Sequence, residues 1–70
     1  MKMIPVKSSN IKAIGHDRAT GTLHVHFNNG AKWEYKGVPA RHFQAMLHPD
    51  TSVGGYLHAH IKGRHEGKAL

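Results

Sequence analysis

The segment that most constrains the fold is TLHVHFNNGAKWEY, residues 22–35. Its first half alternates cleanly, with Leu23, Val25 and Phe27 on one face and Thr22, His24 and His26 on the other, the pattern of a half-buried strand. The loop that follows decides the register. If Asn29-Gly30 made a two-residue turn, Phe27 would lie opposite Lys32 and Val25 opposite Glu34, mixing core with charge. A three-residue loop, Asn28-Asn29-Gly30, puts Gly30 at the left-handed bulge position and pairs Phe27 with Ala31, Val25 with Trp33 and Leu23 with Tyr35. His26 then faces Lys32, and His24 faces Glu34. A slip of one residue would turn every side chain to the wrong face, so the second register is predicted. It makes Trp33 and Tyr35 core residues, with the indole N–H and phenol hydroxyl reaching the sheet edge for partners.

The flanks are read around this hairpin. Residues 11–16, IKAIGH, suit a preceding strand, and the odd spacing of Ile11 and Ile14 predicts a bulge near Ala13. DRATG is turn chemistry, with Asp17 opening and Gly21 left-handed. Before it, Ile4-Pro5-Val6 is an extended arm and Ser8-Ser9-Asn10 a turn. After Gly37 the period becomes helical. Pro39 suits a first helical turn, Phe43, Met46 and Leu47 share a face, and His48-Pro49 ends it. Asp50, Thr51 and Ser52 offer N-caps to a second helix, whose face is Val53, Tyr56, Leu57, His60 and Ile61. Gly63 closes it. The expected architecture is α+β: a three-stranded antiparallel meander followed by two short helices on one face. An arm (residues 1–7) precedes the domain (8–64), and a frayed basic tail (65–70) follows it.

Seventy residues make one small domain, whose core supplies only about 3–5 kcal/mol of net stability. The absence of cysteine rules out disulfides and thiolate metal sites and favours a reducing compartment. The start MKMIPVKSSN has no apolar run of signal-peptide length, and no stretch approaches a membrane span, so a cytoplasmic address and no membrane partner are expected. Ten Lys/Arg against four Asp/Glu give a net charge of +6, a field that attracts polyanions. The eight histidines add charge between roughly pH 7 and pH 5.

Ser8-Ser9-Asn10-Ile11, Gly37-Val38-Pro39, Gly54, Tyr56, Ile61 and Gly63 follow one another in an order that resembles the KTSC domain, found at the C-terminus of some lysyl-tRNA synthetases and as small bacterial or phage-type proteins. Trp33-Glu34-Tyr35 stands where that family has Tyr-x-Tyr. The resemblance spans residues 8–64. That family has no established catalytic activity, and its attachment to synthetases implies RNA binding as the suggested role.

The candidate polyanion contacts are His58, His60, Lys62 and Arg64, with Lys12, Lys32, Lys36 and Arg41 elsewhere. On a continuing helix, Lys62 falls four residues from His58 and Arg64 four from His60, a ridge for charge-assisted phosphate contacts. The plainer alternative is a solvated helix end whose cations offset the dipole. A second candidate is the polar sheet face of His24, His26, Lys32, Glu34 and Lys36, joined by His16 or Lys12. Its plainer alternative is a hydrated face with a His24–Glu34 cross-strand pair. His24-x-His26 with His16 is the best metal grouping, but no spacing supplies the remaining ligand, so neither metal nor cofactor is expected. Asp17, Asp50, Glu34 and Glu66 are scattered and give no acid–base pair, which argues against an enzyme. The functional expectation is a binding domain for RNA or another polyanion. The alternative is a protein-interaction or nucleotide-sequestering module working as an oligomer, and open strand edges would support a homodimer.

Overall fold

The computed structural model describes residues 2–70. The central strands are β2 (Ile11–Asp17), β3 (Thr22–Phe27) and β4 (Lys32–Tyr35). They join in the predicted register: Leu23 pairs with Tyr35, His24 with Glu34, Val25 with Trp33 and His26 with Lys32. The Phe27 N–H donates to the Ala31 carbonyl (2.8 Å), and Gly30 takes φ 91° at the loop, where any Cβ would be strained. The bulge is also found. From Ile11 to Ala13 the partner advances only from Phe27 to His26, so Lys12 is the extra residue. It lets both Ile11 and Ile14 turn to the core, where they are 1% and 0% exposed.

The three-stranded meander is nevertheless overturned, because the sheet has five strands in the order β1-β2-β3-β4-β5. The arm supplies β1 (Ile4–Pro5) against β2, pairing Ile4 with Ile14 and Pro5 with Ala13. The tail, expected to fray, supplies β5 (Gly67–Ala69) against β4, pairing Trp33 with Ala69, Glu34 with Lys68 and Tyr35 with Gly67. The reasons are local. Proline cannot donate to a ladder but is tolerated on an edge strand, and Pro5 sits on one. Gly67 is held by cross-strand contact: a Cβ there would lie 2.6 Å from Tyr35 Cε1, so the ring covers the space a side chain would fill. The edges on which a second copy was expected to pair are thus occupied by the chain's own termini.

Helix α1 (Ala40–Met46) begins one residue later than predicted, with extended Pro39 as its cap. Helix α2 (Val53–Tyr56) is capped by Ser52, whose Oγ accepts from the Gly55 N–H at 3.2 Å, and widens into a π-helical turn over Leu57–Ile61. That turn closes with Lys62 N–H donating to the Leu57 carbonyl (2.8 Å). Val53, Leu57 and Ile61 are buried, while Tyr56 is half-buried and His60 is exposed, so the apolar face is narrower than the spacing predicts. The core joins these residues to Ile11, Ile14, Leu23, Val25, Tyr35, Val38 and Met46. Trp33, expected in the core with Tyr35, is only half-buried. Tyr35 is 3% exposed, and the Trp33 ring stacks beside it at 6.3 Å, packing against the core cluster from outside it. Asn28 ties the hairpin to the Ser-Ser-Asn turn, donating from Nδ2 to the Ser8 and Ser9 carbonyls (3.2 and 3.0 Å). Among the described residues, no helix is long and apolar enough to cross a membrane.

Candidate polyanion interface

Both helices cover the Leu23–Val25 face, so the opposite face of the sheet is left open. Strand alternation puts His24, His26, Lys32, Glu34 and Ala13 there, and β5 adds Lys68 opposite Glu34. Lys12 joins them from the bulge. His26 is held below the ordinary imidazole value of 6.5 first by burial, then by Lys32, His24 and Lys12. His16 does not belong to this group. It pairs with Leu23 on the helix side, stacks on Phe43 at 5.7 Å, and hydrogen-bonds through Nε2 to the Val38 carbonyl (2.7 Å). A carbonyl only accepts, so Nε2 carries the proton. The third imidazole expected beside His24 and His26 is therefore on the far side of the sheet. Lys36 also leaves the face, because β4 ends at Tyr35, and its backbone N–H donates to Glu66 in the next segment.

The helical ridge dissolves as well. The helix stops at Ile61, Lys62 is extended (φ −61°, ψ 131°), and Gly63 takes φ 80°, so Arg64 does not follow His60 along a helix. His58 and Lys62 instead line a cleft of about 260 Å³ with Asn10, Ile11, Phe27 and Leu57. His60 points elsewhere, its ring 4.3 Å from that of Tyr56. The predicted set is thus divided between the sheet face (Lys12, Lys32), the cleft (His58, Lys62) and the surroundings of His60 and Arg41, with Lys36 and Arg64 in connecting turns.

One grouping was not legible in the sequence. His42 on α1, Tyr56 and His60 on α2 and its π turn, and His65 before β5 come together. His42 Nδ1 and the Tyr56 hydroxyl are 2.7 Å apart, and the His42 ring lies 6.1 Å from those of both His60 and His65. Burial, then Arg41, His65 and His60, hold His42 below 6.5. The only available signal was Tyr56 and His60 at i, i+4; nothing in the spacing points to His42 or His65. Among the described residues, no group of three or more His, Cys, Asp or Glu is arranged to hold a metal ion.

The two depressed histidines give a pH prediction. Unfolded chains take up these protons near 6.5, whereas the folded protein resists until lower pH. Stability is therefore full above 6.5 and is lost as pH falls through the lowered folded values of His26 and His42. In buffer free of multivalent anions, the urea midpoint is expected to drop between about pH 7 and about pH 5, and His26→Gln with His42→Gln should flatten that drop. An undiminished drop in the double variant would place the acid sensitivity elsewhere.

The fold and its open face define a small α+β domain with a five-stranded antiparallel sheet and helices on one side. The KTSC domain family matches residues 7–65, and the chain belongs to that family. It is similar to a protein of Stutzerimonas stutzeri (strain A1501) described as uncharacterized, 34% identical over 65 residues, covering 93% of this chain and 90% of that one. A protein of Tsukamurella paurometabola is 37% identical over 68 residues, covering 97% of this chain and 100% of the other. Among solved structures, the crystal structure of a KTSC domain protein from Yersinia pestis superposes with a TM-score of 0.89 at 30% identity, covering 99% of this chain and 96% of that one.

Proposed function

We propose that the domain binds RNA or a similar polyanion, without catalysis, through the open sheet face. The observation that carries this reading is unspent charge. Among the described residues the only ion pair is His48–Asp50, at 4.0 Å and exposed at both ends, so Lys12, Lys32 and Lys68 have no carboxylate within ion-pair distance. Cations gathered on one face and left unpaired release counterions when they meet phosphates. Large aromatics are absent from that face, because Trp33 and Tyr35 share the other face with Val25 and Leu23. Base stacking, the usual source of single-strand affinity on sheets, is therefore a minor contribution, and binding is sequence-tolerant.

The test compares salt dependences. Lys12→Ala with Lys32→Ala should weaken binding to an RNA oligomer and reduce the slope of log affinity against log salt by up to about two phosphate contacts. Lys62→Ala with Arg64→Ala, in the cleft and the turn beyond it, should change the slope less. The reverse ranking would move the interface to the helix end.

A further inference from the structure

We propose that the cluster of His42, Tyr56, His60 and His65, with the Arg41 guanidinium beside it, is an oxyanion site that takes a phosphate group when its imidazoles are protonated. The inference rests on the polyanion reading only for the kind of ligand; its geometry is separate, since these residues lie on the helix side and at the loop before β5, away from Lys12 and Lys32.

Three features of the cluster converge. First, its electrostatics are one-sided. The groups acting on His42 are Arg41 from its own helix, His60 from α2 and His65 from the loop, all cationic or able to become so. The carboxylate of Glu66, next to His65 in sequence, is not among them. Protonated, the cluster is a concentration of positive charge with no internal counterion, and an external anion is the partner it lacks.

Second, the spacing suits an oxyanion better than a metal ion. Zinc requires ring nitrogens about 2.0–2.1 Å from a single point, and His42, His60 and His65 do not form such a group. The His42 and His60 rings lie nearly parallel, 24° apart, at 6.1 Å. Rings so disposed can each donate to a different oxygen of one phosphate through bonds of about 2.7–2.9 Å.

Third, the hydrogen bond between His42 and Tyr56 is a switch. In the neutral ring either partner can donate across the 2.7 Å contact. Once His42 is protonated both ring nitrogens carry hydrogen, so Nδ1–H must donate to the Tyr56 oxygen. The phenol O–H is then released to donate outward to the anion. The proton comes from solvent at low pH, and the bound anion holds it there. All four side chains are reachable: His42, Tyr56 and His65 are half-buried and His60 is exposed.

The test follows the histidine ring resonances by NMR from about pH 8 to about pH 5, with and without inorganic sulfate, whose charge is constant over this range, and with inorganic phosphate. The midpoint of His42 should rise when either anion is added. Sulfate should bind up to about tenfold more tightly for each unit of falling pH over which one proton is taken up on binding. Tyr56→Phe, which keeps the ring, should weaken anion binding several-fold without unfolding the domain, and His42→Gln should reduce the pH dependence to the share carried by His60 and His65. Midpoints that ignore both anions, or anion shifts confined to His24 and His26, overturn the proposal. So does a response of the cluster to zinc ions alone. RNA bound with the cluster silent would refute this site and leave the sheet-face reading standing. Anions bound at the cluster with no RNA affinity would do the opposite.

Discussion

Tyr35→Ala is expected to leave the chain largely unfolded at room temperature, whereas Trp33→Ala stays folded. Tyr35 is 3% exposed, pairs with Leu23 on one side and Gly67 on the other, and belongs to the central cluster. Truncating a buried aromatic costs about 3–5 kcal/mol, comparable with the whole net stability of a domain this size, about 3–5 kcal/mol. Trp33 is half-buried at the rim, so its truncation forfeits only part of that. Burial also raises the Tyr35 phenol above its ordinary value of 10.0. That group contributes stability fully present below 10 and lost as pH rises through the folded value. Circular dichroism with urea titration compares the variants directly. If Trp33→Ala proved the more damaging, the packing described for β4 would be wrong.

The second large effect concerns the strand that the sequence reading treats as a tail. Gly67→Ala puts a methyl 2.6 Å from Tyr35 Cε1 and 3.0 Å from Cδ1. The ring is fixed in the core and cannot yield, so the strand must move. Overpacking of this kind costs about 1–3 kcal/mol, and the least expensive relief is to release β5. Amide exchange of Lys36, whose N–H donates to the Glu66 carbonyl, and of Leu70, whose N–H donates to the Lys32 carbonyl, should accelerate, with the amides of β2 and β3 less affected. If these amides exchange as slowly as in the unsubstituted protein, the Gly67–Tyr35 contact is not what seats the strand.

These two residues also show where sequence reading reaches and where it stops. The hairpin register was legible because Leu23, Val25, Phe27 and the Asn-Asn-Gly loop constrain one another. The bulge at Lys12 was legible because two isoleucines three apart cannot share a face of an unbroken strand. The outer strands carry no such signal. Ile4–Pro5 is two residues long, and Gly-Lys-Ala has no β-branched or aromatic member, so each is held by its neighbour's ladder rather than by its own propensity. The same holds for the sites. Charge was legible as composition, but its grouping depends on tertiary geometry. The break at Lys62 and Gly63 separates residues that helical spacing unites, and β5 brings Lys68 to a face it does not reach in a frayed tail. The meeting of His42 with His65 joins segments 23 residues apart and follows from how α1 packs beside the π turn.

The most direct test of the central claim is an amide shift map during titration with a short RNA oligomer at low and at moderate salt. The account predicts shifts concentrated at Lys12, His24, His26, Lys32 and Lys68, fading steeply as salt rises. Shifts confined to the cleft of His58 and Lys62, binding indifferent to salt, or no response at low salt would contradict it.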